Sequence, residues 1–489
     1  MDELKLIFSF LLSYPLAGVL KRLPDNNPRL KNIFIISVGI FYLVGLFDLW
    51  EGLALVVTDA VATYLIAAYV EGPYMPWIGF VVLMGHMSVS HIQRQRANAP
   101  SSVDITGAQM VMVMKLTAFC WNVWDGKQDQ AGLNEYQRDR ALTSLPDPLD
   151  FAAFVAFFPS LMAGPAFDFA DYRRWLETTM FDLPPGTDPA KAPPTRKQRR
   201  IPRSGTPAMW KLATGLVWIL AFLQLSAYFN EGVVQGPRYS TFSFPWRVFH
   251  MYMMNLVARM KYYGVWTLTE GACIMAGIGY KGLDPKTGKH SWDRLTNIRP
   301  LGVELAQNTH AYLGNWNINT NNWLRNYMYL RVTPKGKKPG FRATLATFVT
   351  SAFWHGFYPG YYLAFVLAAF MQNTAKSKLT HPPSPSPTNQ VRRPPPPPPL
   401  LPHPRRHQTP PHKTLLRHPL LGHNPNHLLL RHNPLHPPHA PGLPARLGPS
   451  LLLRHHRRLA LRRFHRLSRQ TLVTIQTQSQ ESEAGWWRE

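Results

Sequence analysis

One histidine lies in an apolar, helix-length segment, Ser351-Ala352-Phe353-Trp354-His355-Gly356-Phe357-Tyr358-Pro359-Gly360-Tyr361-Tyr362. An ionisable group at membrane depth is costly to bury and marks function by default. A neutral imidazole can take a proton from an alcohol as that alcohol attacks a carbonyl. Gly356 leaves room beside the ring, and Pro359-Gly360 interrupts the helix one turn later. A second candidate is Asn317, in Trp316-Asn317-Ile318-Asn319-Thr320-Asn321-Asn322-Trp323. Its amide can donate to a developing oxyanion or hold a thioester carbonyl. A third is Glu270, within the polar stretch 261–271, which would pair with Lys261 or another cation, or orient a histidine. Each also has a plainer reading: His355 as a buried structural imidazole, Asn317 as a bridge between helices, Glu270 as an interfacial carboxylate. The chain has no nucleophile elbow near His355, no phosphate loop and no dinucleotide fingerprint. That pattern favours direct attack by the acceptor over a covalent acyl-enzyme, and it calls for no cofactor.

The elements that must position these groups are apolar helices. Runs near spanning length recur at about 4–20, 33–49, 52–70, 75–92, 106–124, 150–167, 209–229, 247–267 and 342–371. Shorter stretches near 268–280 and 303–316 read as re-entrant or interfacial. The first run follows Asp2 and Glu3 rather than a basic leader, so it reads as an uncleaved helix. Cys120 and Cys273 are the only cysteines, and they offer neither a disulfide framework nor metal-ligand spacing. The expected fold is therefore all-α: a polytopic transmembrane bundle over residues 1–373, enclosing a polar chamber, with a disordered tail at 374–489.

A net charge of +26 over 489 residues would suggest nucleic-acid binding if the chain were uniform. It is not uniform. Residues 381–489 carry 16 Lys+Arg against 3 Glu, half of the net charge, with 22 of the 46 prolines and 13 of the 19 histidines. No nucleic-acid partner is expected. In this tail Pro, His, Leu, Arg and Gln make up 75 of 109 residues. The genetic code, not chemistry, groups those five, since all have codons beginning with C. The tail therefore reads as an out-of-frame or mis-spliced continuation; the alternative is a Pro-rich segment whose 394–399 run forms polyproline II.

Basic loops suggest a topology. Lys21, Arg22, Arg29 and Lys31 follow the first run, and Arg94 and Arg96 follow the fourth. A third group is Arg173, Arg174, Lys191, Arg196, Lys197, Arg199, Arg200 and Arg203. The positive-inside rule puts all three on the cytosolic face, which alternation allows only if one run among 33–92 crosses halfway. The acidic stretch 125–150 would then lie on the lumenal face.

Taken together, Trp316-Asn317, Trp323-Leu324-Arg325-Asn326-Tyr327 and the His355 segment resemble the membrane-bound O-acyltransferase (MBOAT) family, in particular its fungal lysophospholipid-acylating branch. Residues 261–271, 330–340, Met162-Ala163-Gly164-Pro165 and the stretch holding His86 and His91 also match. The resemblance covers about residues 1–373. It implies His355 as catalytic base and Asn317 as the group positioning the reacting carbonyl. Trp316, Glu270, Trp354 and Tyr361 become substrate-contacting candidates. It further implies acyl-CoA as co-substrate, a lysophospholipid acceptor, and a multi-pass place in the endoplasmic reticulum bilayer. His86 and His91 read as structural. Beyond about residue 372 the family continues with further membrane helices, where this chain departs from the pattern. The competing readings are a sterol, diacylglycerol or protein acceptor, or a transporter using His355 as a proton relay.

Overall fold

The computed structural model describes residues 2–380 except 98–103, 198, 285–286 and 335. Of the tail expected at 374–489, residues 374–380 continue a helix that runs from Pro359 to Thr380, and the readings for 381–489 lie outside the described residues. The described part is one helical unit. Its main helices are α1 (Asp2–Leu20), α2 (Pro28–Ile40), α3 (Trp50–Tyr69), α4 (Met75–Ala97), α5 (Thr106–Gly126), α6 (Gly205–Leu225), α7 (Phe244–Ala276), α8 (Ile318–Leu324), α9 (Phe341–His355) and α10 (Pro359–Thr380). A two-stranded hairpin, Gly282–Leu283 with His290–Ser291, is the only sheet among the described residues.

Local chemistry sets several boundaries. The Asn27 side chain accepts from Leu30 N, and Pro28 opens α2, where a missing N–H costs nothing. α7 ends at Gly277, whose φ of 101° is the left-handed stop that glycine takes without penalty. Among the described residues five helices are long and apolar enough to cross a bilayer: 3–20, 28–46 (α2 with its π-helical extension), 50–69, 75–97 and 205–225.

Four of the expected spans are not among these five: 106–124 and 247–267 lie in the long helices α5 and α7, which fall outside that set, and two others are not single helices. The run 150–167 is not one helix; it breaks into Pro148–Val155 and Phe158–Leu161, both largely buried. Its flanks meet: Arg174 Nη1 lies 2.6 Å from Asp139 Oδ1, and Arg140 Nε lies 2.7 Å from Asp168 Oδ2. Residues 125–150 and the start of the 170–208 loop therefore share one face, not two. The segment whose two ends return to the same side of the bundle is 148–167. Near the N-terminus each of the helices from 28 to 97 has spanning length. Three such helices separate Arg29 from Arg94, and if each crosses, Arg94 and Arg96 lie on the face opposite the other basic loops. Those other loops do meet, as expected: Lys21 Nζ donates to Ser204 Oγ at 2.7 Å, and Arg200 N to Asp25 Oδ2 at 2.7 Å. The run 342–371 is likewise two packed helices, α9 and α10, parted at Gly356 and Pro359. Of the shorter stretches, 268–276 simply continues α7, and 303–316 falls in short helices.

Small residues let α6 and α7 pack closely. A Cβ on Gly264 of α7 would lie 2.5 Å from Ile219 Cδ1 of α6, and one on Gly215 of α6 would lie 2.8 Å from Leu268 Cδ2 of α7. In lipid, where tails compete with side chains, such close approach is how helices gain packing energy. Gly264→Val is therefore expected to destabilise by about 1–3 kcal/mol, the usual cost of overpacking. Thermal unfolding of the detergent-purified protein checks this. Adding Ile219→Ala should recover part of the loss, and additive losses would rule out the contact.

Candidate active site

The site is built on α5, which is buried on nearly every side. Met110, Met114 and Thr117 share one of its faces, at spacings of four and three. Each receives one residue of the motif segments. The Trp354 indole N–H donates to Met110 O at 3.0 Å, Thr320 Oγ1 lies 3.2 Å from Met114 Sδ, and the Trp323 indole N–H donates to Thr117 Oγ1 at 2.9 Å. Trp323 and Trp354 also pack on each other, ring centroids 6.2 Å apart. The Asn317 and His355 segments are thus seated side by side on a single helix.

His355 is the last residue of α9. The helix stops there because Gly356 takes φ 113°, ψ −161°, a conformation open essentially to glycine alone. Its half-buried imidazole packs between aromatic rings: Phe365 at 5.1 Å and 24°, Tyr361 at 5.4 Å, and Trp354 edge-on at 4.7 Å. Among the described residues neither ring nitrogen has a hydrogen-bond partner. The aromatic walls fix the ring plane and leave its edge to a reacting group.

Asn317 holds a left-handed backbone, φ 44° and ψ 54°, directly before α8. Asparagine tolerates this conformation better than most residues. Its side-chain carbonyl is engaged: the buried Thr320 hydroxyl donates to Asn317 Oδ1 at 2.9 Å. That bond occupies the carbonyl end and leaves the NH₂, the end an oxyanion or a polarised carbonyl needs, without a hydrogen-bond partner among the described residues.

The remaining candidates divide. Trp354 and Tyr361 are beside His355. Trp316 packs instead on the aromatic face of α7, with Trp266 at 5.2 Å and Tyr262 at 5.6 Å. Glu270 is fully buried; its Oε1 lies 2.8 Å from Lys211 Nζ and accepts from Thr296 at 2.7 Å. Of the partners considered for it, the cation is Lys211; Lys261 lies over the Phe222 and Tyr262 rings. Glu270 thus ties α6, α7 and the 290s loop together. His86 bonds Asp59 Oδ1 at 2.6 Å, and Gln109 donates to the other carboxylate oxygen at 3.0 Å, joining α3, α4 and α5.

Sequence reasoning missed a polar cluster on the far side of Trp323. Asp168 accepts from Arg140 Nε at 2.7 Å, the Tyr327 hydroxyl at 2.7 Å and the Tyr136 hydroxyl at 3.1 Å. Arg331 grips Asp125 with two bonds of 2.8 and 2.6 Å. Nearby, burial would raise the Asp139 pKa, but Arg174 and Arg140 hold the carboxyl below its ordinary range. The cluster borders a cavity of roughly 100 Å³ lined by Lys115, Asp168, Arg294, Asn322 and Trp323 among others, enough for several waters. Its members are spread from Asp125 to Arg331, so no local spacing announces them. The available signals were Tyr327 within the Trp-Leu-Arg-Asn-Tyr string and Arg331 within the 330–340 stretch.

Residues 98–400 match the family model of the membrane-bound O-acyltransferases. The chain belongs to this family. A "Lysophospholipid acyltransferase" of Schizosaccharomyces pombe is 46% identical over 381 residues, covering 78% of this chain and 72% of that relative. One of the same name from Saccharomyces cerevisiae is 44% identical over 372 residues, covering 74% of this chain and 60% of the relative. The human "Membrane-bound glycerophospholipid O-acyltransferase 2" is 28% identical over 353 residues, covering 71% and 66%. This MBOAT chain is thus a membrane-embedded acyltransferase, and the segments that carry its motif histidine and asparagine are both seated on α5.

Proposed function

We propose that this chain transfers a fatty acyl group from acyl-CoA to the free hydroxyl of a lysophospholipid, in the endoplasmic reticulum membrane. The observation that carries the chemistry is the seating of both motif segments on α5, the His355 segment through Trp354 and the Asn317 segment through Thr320 and Trp323, with the His355 ring nitrogens and the Asn317 NH₂ free of hydrogen bonds among the described residues. The names of the yeast relatives support the acceptor class. In the reaction, His355 accepts the hydroxyl proton as that oxygen attacks the thioester carbonyl. Asn317 donates to the carbonyl oxygen as negative charge gathers there. Collapse of the tetrahedral intermediate breaks the C–S bond, and the proton passes from His355 to the departing sulfur. Holding two amphiphiles in one water-poor site supplies much of the gain, because the encounter entropy is met by binding. The assay is purified protein with radiolabelled acyl-CoA and a panel of lysophospholipids, sterols and diacylglycerol. Acylated phospholipid is expected. Transfer to sterol or diacylglycerol alone would overturn the acceptor.

Thr320 gives a sharper check on Asn317. Thr320→Val keeps the shape and removes the hydroxyl, freeing the amide to turn. A fall in kcat of about fivefold is expected, with Thr320→Ser near the parent, since one lost hydrogen bond is worth roughly 1 kcal/mol. Equal activity of the valine and serine variants would dismiss this role.

A further inference from the structure

His91 is used by nothing described so far, yet it touches the chain on both sides of His355. It sits on α4 and is buried. Its Nε2 lies 3.0 Å from the main-chain oxygen of Trp354, the residue before His355. A carbonyl only accepts, so Nε2 carries the proton, and the tautomer is set. That carbonyl belongs to the last turn of α9, where helical N–H donors run out because the chain turns away at Gly356. On the other side, a Cβ on Gly356 would lie 3.0 Å from His91 Nδ1 and 3.3 Å from His91 Cγ. The imidazole therefore fills the space a side chain after His355 would need. Trp354 is also held through its indole by Met110 of α5. The peptide leading into His355 is thus clamped between α4 and α5, while the His355 ring itself is held only by aromatic faces.

We propose that His91 is a positioning residue for the acyl transfer. Its Nε2–H donates to the Trp354 carbonyl and sets where the His355 ring stands relative to the attacking hydroxyl. This rests on His355 acting as the base. The physical reason is geometric. Proton transfer requires near-contact of donor and acceptor, and a shift of about 1 Å in a catalytic group can cost about 100-fold in rate. A single hydrogen bond to a frayed helix end can decide a shift of that size.

The test compares four variants of the full chain in the labelled-acyl assay, alongside thermal unfolding. His91→Leu keeps bulk and loses the donor. His91→Gln can reach the Nε2 position with an amide N–H, whereas His91→Asn is too short to do so. We expect kcat to fall by about 10- to 100-fold in His91→Leu and His91→Asn, with KM for both substrates within about threefold of the parent. His91→Gln should recover most of that loss. If the leucine variant does not fold, the asparagine–glutamine pair carries the comparison. An unchanged kcat in His91→Asn would overturn the proposal, and so would equal losses in the glutamine and asparagine variants, which would indicate mere space-filling. His355→Ala serves as the fourth variant: if it keeps full activity, the reading of His355 fails first, and that outcome is separable from any effect at His91.

Discussion

Replacing His355 with alanine is expected to lower kcat by about 10²- to 10⁴-fold, the range spanned by loss of a general base. KM for acyl-CoA and lysolipid should change little, because the imidazole acts on a proton that moves only in the transition state. The geometry allows this separation. The ring is packed by Phe365, Tyr361 and Trp354, and it makes no hydrogen bond to the described residues that its loss would leave broken. An alanine nonetheless leaves a gap between aromatic faces, so a second variant is needed. His355→Gln fills much of the space and cannot accept a proton at neutral pH. Both variants should lose activity alike, while the glutamine variant keeps its unfolding temperature. Activity within tenfold of the parent in His355→Gln would sink the general-base assignment.

The largest expected effect on stability falls on Asp168. Its carboxylate accepts from Arg140, Tyr136 and Tyr327, and Asn122 lies 3.4 Å away. Removing one partner of a buried ion pair typically costs about 3–5 kcal/mol. Arg140 keeps Asp139 at 2.9 Å, and the adjoining cavity can admit water to the freed hydroxyls, so Asp168→Ala should sit near the lower bound, about 3 kcal/mol. The consequence is larger than local. Asp168 joins the end of the 148–167 segment to Tyr327, one turn beyond Trp323 and the α5 seat. Unfolding of the detergent-purified variant measures the cost, and Asp168→Asn, which keeps the shape, should lose less. A loss under about 0.5 kcal/mol, the scale of an ordinary surface change, would mean the cluster is not a structural hub.

Local chemistry made much of this molecule legible. Long apolar runs announced α1 through α4 and α6, because in lipid a helix must satisfy its own backbone. The Trp-His-Gly-x-x-Pro-Gly string announced a helix break but set it one turn late, at Pro359-Gly360; α9 ends at His355 because Gly356 leaves helical backbone. The failures have an equally clear cause. Run 150–167 is as apolar as a span, yet it folds as two short buried helices. Hydropathy measures what a segment can bury, not what it is buried against, so a protein interior and a bilayer read alike. The same ambiguity put the returning segment near the N-terminus and set the 125–150 acids opposite the arginines they pair with.

The sequence by itself determined the helical class, the chemistry available at His355 and Asn317, and the family to which both belong. Those depend on residue type and short spacing, which one stretch of chain carries alone. Only the tertiary structure decided that α5 seats both motifs, that Lys211 is the partner of Glu270, and that Asp168 and His91 take part at all. Each of those depends on contacts between residues tens to hundreds of positions apart. Such contacts are set by how helices pack and where the chain turns back, and no local pattern of residues encodes them.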